Sequence, residues 1–252
     1  MKILFTICGR AGSKGIKGKN LREFLGVPLA LYTLAVVDLL LESDKTIEGD
    51  IVLNTDSQQL MDLFQQKSHG KVEMVYRKPE QATDSASKFD VIKTCLETMS
   101  QRKPGTYDYI IDLDITSPLR TVMDVQNVIR EIQTGKYDVV FSVAPARRNP
   151  YFNMVKNVDG YYHKVIDSEF TARQQAPDVY DMNASIYAYK PDFLRNCPGI
   201  FHGKCGISIM EDQGILDLDH ERDFELMEVI AEYLYKNNAE FKKVFDAAKE
   251  LK

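Results

Sequence analysis

An α/β fold with a doubly wound, mainly parallel sheet is predicted by three features of this 252-residue chain. Apolar strand-like runs alternate with helix-like ones along the first 143 residues, the rhythm that places helices on both faces of a sheet. The loops richest in polar chemistry follow Ile7, Asn54 and Leu113, at the carboxyl ends of strands, where such sheets bind ligands. The length and a 44% hydrophobic content suffice for one domain, residues 1–252, with a sizeable core.

The elements can be justified in order. Lys2–Ile7, Asp50–Asn54, Val72–Tyr76, Tyr109–Leu113 and Tyr137–Val143 read as strands, each short and apolar. Pro28 suits the first turn of a helix running to Leu41. Gln58–Gln66 is amphipathic, and Ser85–Met99 carries Phe89, Ile92, Leu96 and Met99 at helical spacing. Thr121 followed by Asp124 reads as a helix start, with the helix reaching about Thr134. The rhythm breaks at Pro145–Asp181, a stretch rich in Arg, Asn, Tyr and Gln with a turn at Val158–Gly160. It predicts a β-rich insert at 145–181. A strand at Ala184–Tyr189 and helices from Glu221 to Tyr235 and over Ala239–Lys252 complete the chain.

Bulk properties narrow the function. A formal net charge of −5 gives no support to nucleic-acid binding, since the positive charge is local to the first loop. No apolar run is long enough to span a membrane, and the start MKILFTICGR reads as a strand rather than a signal peptide. Cys8, Cys95, Cys197 and Cys205 form no C-x-x-C pair. Reduced, mostly buried thiols and cytoplasmic residence are expected. Cys8 borders the first loop but has no histidine nearby in sequence to serve as base.

That loop, Ile7–Asn20, carries Gly9, Gly12, Gly15 and Gly18 interleaved with Arg10, Lys14, Lys17 and Lys19. Glycines let backbone N–H groups approach an anion, and basic side chains neutralise it. A tight turn with solvated lysines is the plainer alternative. The spacing fits neither G-x-x-x-x-G-K-[ST] nor G-x-G-x-x-G.

Two acidic pairs stand out. In an extended segment Asp217 and Asp219 face one side while Leu216 and Leu218 face the core. Such carboxylates suit Mg²⁺, or simply flank a strand end. A triphosphate site usually needs a metal, which favours the first reading. Asp112 and Asp114 also share a face, and two like charges at a strand end need a cation or hydrogen-bond donors. Asp112 is expected to cap the Thr116–Ser117–Pro118 turn, leaving Asp114 for ligand. His220, opening a helix, reads as a capping or surface residue.

The order R-x-G-S-K-G-x-x-x-K-N at Arg10–Asn20 resembles the nucleotide-binding signature of the acylneuraminate cytidylyltransferases. Further matches follow in family order: Thr55–Asp56, Arg77, Asp84–Ser87, Thr116–Arg120 and Asp217-x-Asp219. The resemblance implies a Rossmann-like sheet of the nucleotide-diphospho-sugar transferase type, CTP as substrate, and a homodimer exchanging its insert. It places the nucleotide on Arg10, Ala11, Gly12, Ser13, Lys19, Asn20, Arg77 and Ser87. Arg10, Lys14 and Lys19 would neutralise the triphosphate, and Asp219, with Asp217, would act in catalysis by holding Mg²⁺, or Mn²⁺. Sialic-acid members carry Gln-Pro where this chain has Asp114–Ile115, and often Asn-Gly where it has Asn183–Ala184. The stretches Pro145–Asn153, Thr171–Pro177 and Tyr180–Tyr187 resemble the legionaminate-activating branch.

The expected reaction is attack by the anomeric hydroxyl of a nine-carbon acidic sugar on the α-phosphorus of CTP. Asp114, Thr116, Ser117, Arg147, Arg173, Gln174 and Asn183 are the candidate sugar residues, Arg148 being a further candidate for its carboxylate. A different sugar or nucleotide, or a non-catalytic nucleotide-sugar binder, are the rival readings.

Overall fold

The computed structural model describes residues 1–12, 15–211, 218 and 220–252. Ser13, Lys14, Asp217 and Asp219 lie outside the described residues, and so do the assignments made to them.

The central sheet has the order β11-β7-β10-β6-β1-β4-β5. Its strands are β1 (Lys2–Gly9), β4 (Glu48–Thr55), β5 (Val72–Tyr76), β6 (Tyr109–Leu113), β7 (Val139–Pro145), β10 (Tyr180–Tyr189) and β11 (Cys205–Ile209). β1 pairs in parallel with both β4 and β6. β10 runs antiparallel to both β6 and β7, the one antiparallel strand of this sheet among the described residues. A two-strand ribbon, β2 (Glu23–Phe24) and β3 (Val27–Pro28), leads into the first long helix.

Strand alternation divides the core between the two faces of the sheet. Ile3, Phe5 and Ile7 of β1 pack with α1 (Leu29–Ser43), α4 (Val122–Gln133), α6 (Glu221–Asn237) and α7 (Ala239–Leu251). Leu4 faces the other way, against α3 (Lys88–Arg102) and α5 (Pro191–Asn196). α1 is buried nearly all round, with Leu29–Val37 and Leu40 inside, which explains its near-continuous apolar run. α2 (Gln58–Lys67) buries only Leu60 and Phe64, and Ser57 caps it.

Boundaries moved for local reasons. The helix expected from Ser85 begins at Lys88, because Ser87 is its N-cap and accepts from Asp90 N–H. The capping box at Thr121 and Asp124 is present. α5 and β11 lay within a stretch broken by Pro198, Gly199 and Gly203, where no periodicity marked either.

The expected β-rich insert contains one hairpin, β8 (Val155–Val158) and β9 (Tyr161–Lys164), among irregular chain. Its turn uses Asp159 and Gly160 at φ 52° and 88°, the doubly left-handed geometry that closes a two-residue hairpin. Among the described residues no helix is long and apolar enough to cross a membrane.

Candidate active site

After β5 the chain returns past β1 to form β6, so the strand order reverses between β1 and β6. A crevice opens at such a point beyond the strand ends. A cavity of about 350 Å³ lies there. Its lining includes Cys8, Gly9 and Arg10 from the end of β1, Asp114 and Thr116 after β6, and Lys19, Asn20 and Arg77.

The glycine loop is held from several directions. A Cβ at Gly9 would come within 2.8–2.9 Å of the side-chain ends of Ile115, Asn20 and Leu60, so a larger residue there would have to displace them. Gly18 has φ 65°, which favours glycine on backbone grounds. Ala11 N–H donates to Asp56 Oδ1 at 2.8 Å, and Asn20 Nδ2 donates to the Arg10 carbonyl at 3.1 Å. Asp56 and Asn20, both motif positions, thus brace the loop. Arg10 pairs with Asp84 at 2.5 Å. Arg77 is buried, with Nε donating to Asn54 Oδ1 at 2.7 Å. Lys19 Nζ reaches the Leu218 carbonyl at 2.5 Å, and Arg22 pairs with Glu221. Leu218 is buried, as expected of a core-facing residue.

The acidic pair after β6 reverses its expected division of labour. Asp114 is the turn residue: its Oδ1 accepts from Thr116 N–H at 2.8 Å and Thr116 Oγ1 at 2.7 Å. Asp112 is fully buried and accepts from Thr6 Oγ1 at 2.7 Å. The reason is position. Asp112 is still inside β6, on the face that meets α3, whereas Asp114 follows the last strand residue, where an Asx turn forms.

The cation that this pair requires is Lys88, which motif reading passed over. Its Nζ lies 2.8 Å from Asp112 Oδ2 and 2.6 Å from Asp114 Oδ2. The Asp114 contact is an aligned hydrogen bond. The Asp112 contact is an ion pair, since its Oδ2 makes no well-directed bond. Burial alone would raise Asp114, but the charge and hydrogen bond of Lys88 and the Thr116 bonds outweigh it and hold the carboxyl at about 2. Burial likewise works against the Lys88 cation, yet Asp112 and Asp114 hold its pKa well above the usual value. The signal for Lys88 was the electrostatic need itself, together with a lysine directly after Ser87.

Arg120 completes the network. It is fully buried and donates to the Asp114 and Ser185 carbonyls at 2.6 and 2.7 Å and to Thr33 Oγ1 at 2.7 Å. Burial lowers its pKa to about 10, against the opposing carboxylates. Asp112, Asp114, Lys88 and Arg120 therefore sum to zero charge. Contact with Cys95, with burial behind it, raises the Cys8 thiol well above the usual range, which disfavours the nucleophilic thiolate. Of the four thiols, only Cys95 is fully buried.

A second cavity, about 360 Å³, adjoins the first. Its wall is largely aromatic and apolar: Phe89, Tyr187, Tyr189, Ile200 and Phe201, with Ser87, His202 and Lys88. Tyr187 and Tyr189 stack at 6.2 Å. Ser87, assigned to the nucleotide, lines this cavity and caps α3 instead of lining the first.

The remaining sugar candidates lie apart. Arg147 and Gln174 are exposed, and exposed Arg173 donates to the Ala146 carbonyl at 2.7 Å. Asn183 is buried and accepts from Ser142 Oγ at 2.6 Å. Ser117 is buried. None of the five lines either cavity.

Comparison with known proteins fits this layout. A flagellin modification protein B from Campylobacter coli is 34% identical over 91% of this chain and 94% of its own. A CMP-N,N'-diacetyllegionaminic acid synthase from Campylobacter jejuni is 32% identical over the same shares. A solved CMP:2-keto-3-deoxy-manno-octonic acid synthetase complexed with CTP shares the fold, with a TM-score of 0.64 and 16% identity, over 92% of this chain and 99% of that one. Residues 4–249 match the cytidylyltransferase family. The chain belongs to that family, as a CTP-dependent nucleotidyltransferase.

Proposed function

We propose that this enzyme transfers CMP from CTP to the anomeric hydroxyl of a nonulosonic acid, with N,N'-diacetyllegionaminic acid the preferred sugar. The observation that carries the reading is the pair of adjoining cavities at the β1/β6 reversal. One is lined by Arg10, Lys19 and Arg77 and suits a polyphosphate. The other has aromatic walls and suits the methyl and acetamido groups of a deoxy sugar better than a polyhydroxylated chain. The names of the relatives from Campylobacter support the same class.

In the reaction, the sugar hydroxyl oxygen forms a bond to the α-phosphorus, the bond to pyrophosphate breaks, and the hydroxyl proton is released to water. Arg10, Lys19 and Arg77 hold the triphosphate and offset charge on the leaving pyrophosphate. Asp114 and Thr116 border the attacking oxygen. Asp217 and Asp219 are the proposed Mg²⁺ ligands. Oxygen donors one residue apart suit that hard cation, and Lys19 ties the segment between them to the glycine loop. When bound, Mg²⁺ supplies charge stabilisation to the phosphates.

Pyrophosphate release with CTP and Mg²⁺, measured across a sugar panel, tests the substrate. A kcat/KM for N,N'-diacetyllegionaminate at least tenfold above that for N-acetylneuraminate is expected. The reverse preference removes the legionaminate assignment.

A further inference from the structure

Lys88 is the residue common to both cavities. It opens α3 directly after the Ser87 cap, so its side chain emerges at the helix start, between the two. Its side chain is 35% exposed although it contacts the fully buried Asp112. An ammonium has three N–H donors; one makes an aligned bond to Asp114 Oδ2, and the contact with Asp112 is an ion pair. Its Nζ also stands 5.8 Å from the Tyr187 ring centroid, on the aromatic side of the junction.

The position matters because of the substrate class proposed above, on which this inference rests. In a 2-keto acid sugar the carboxylate is attached to the anomeric carbon, two bonds from the attacking oxygen. It must therefore come close to the boundary between the nucleotide and sugar halves. A bare Asp114 at that boundary would repel it. It would also offer acceptors alone, where the sialic-acid members' glutamine offers a donor and an acceptor.

We propose that Lys88 is a specificity-determining positioning residue: the Lys88–Asp114 ion pair acts as one donor–acceptor unit that admits the acidic sugar. Lys88 orients the Asp114 carboxylate, cancels its charge, and leaves one ammonium N–H for the sugar side. Asp112 fixes Lys88 from below, and Thr116 fixes Asp114 from the side. Arg120 adds a second positive charge behind the pair, donating to the Asp114 carbonyl at 2.6 Å.

The test is a double-mutant cycle on the whole enzyme with CTP, Mg²⁺ and N,N'-diacetyllegionaminate, reading KM for each substrate separately. Lys88→Met should raise the sugar KM at least tenfold and leave the CTP KM within threefold. Asp114→Asn alone should cost less. The double variant should recover at least threefold of the Lys88→Met loss, because removing the second carboxylate relieves the repulsion that the first change exposed. Lys88→Arg, which keeps the cation, should stay within threefold of wild type.

A Lys88→Met enzyme with sugar KM within twofold of wild type overturns the proposal. So do CTP and sugar KM values that rise together, or a double variant no better than Lys88→Met. Should Lys88→Met not fold, Lys88→Arg and the double variant against Asp114→Asn decide by the same KM criterion. A wild-type enzyme that releases pyrophosphate with no acidic sugar refutes the proposed function itself. An active wild type with an indifferent Lys88→Met refutes the Lys88 role alone.

Discussion

Ala184 sits in the left-handed region at φ 50°, where a residue with a Cβ is strained by about 1–2 kcal/mol. It lies inside a bulge of β10, between the Met182 and Tyr187 pairings with β7. The Ser142 hydroxyl fills that bulge, accepting from Ile186 N–H at 2.9 Å and donating to Asn183. The Asn-Gly of the resembling family thus becomes intelligible as backbone geometry. Asn183 closes the bulge, and the next residue must take a positive φ. Ala184→Gly should stabilise the protein by about 0.5–1 kcal/mol in urea denaturation, after allowing for the greater entropy that glycine loses on folding. A loss of stability would show that the bulge is not strained at Ala184. The same scale shows where sequence reading stops. That Asp112 and Asp114 share a face followed from strand alternation. Which of them turns the chain depended on where β6 ends, and the partner cation comes from α3, 24 residues upstream of Asp112.

Elements with long periodic patterns or chemically explicit ends were legible. α4 begins where Thr121 and Asp124 said it would, and β5 and β6 match their expected spans. α5, at six residues, and β11, at five, carry too few positions to display a period. Between elements, the least legible feature is Arg120. It reads as part of a loop motif, yet its guanidinium joins α1, the end of β6 and β10 by hydrogen bonds to Thr33, Asp114 and Ser185. Arg120→Met would leave four acceptors without their donor and two carboxylates short of their counter-charge. A destabilisation of about 3 kcal/mol or more is expected from denaturant unfolding. A change below about 1 kcal/mol would mean that the network tolerates losing its arginine.

Across the molecule, the β-α rhythm implied ligand-binding loops at the carboxyl ends of the strands, but the strand order that opens the crevice between β1 and β6 was not legible in it. Nor was the aromatic cavity, because its walls come from α3, β10 and the stretch before β11, far apart in sequence. The insert presents Val155, Val158, Tyr161 and Tyr162 to solvent, an apolar surface of the kind that marks an interface. We propose that it packs against a second copy, which would also bring Arg147 and Arg173 toward a partner's cavity. Light scattering at micromolar concentration should give twice the monomer mass of 28.8 kDa, and Tyr161→Asp with Tyr162→Asp should return it to monomer. A wild-type monomer would refute this assembly.

The central proposal is that a nucleoside triphosphate and an acidic sugar meet at Lys88 and Asp114, where the two cavities adjoin. Phosphorus NMR of the enzyme with CTP, Mg²⁺ and N,N'-diacetyllegionaminate tests it directly. The expected result is loss of the three CTP resonances with equal appearance of pyrophosphate and a phosphodiester signal from the CMP-sugar. CTP that persists unchanged, or that yields pyrophosphate and free CMP with no phosphodiester, would contradict it.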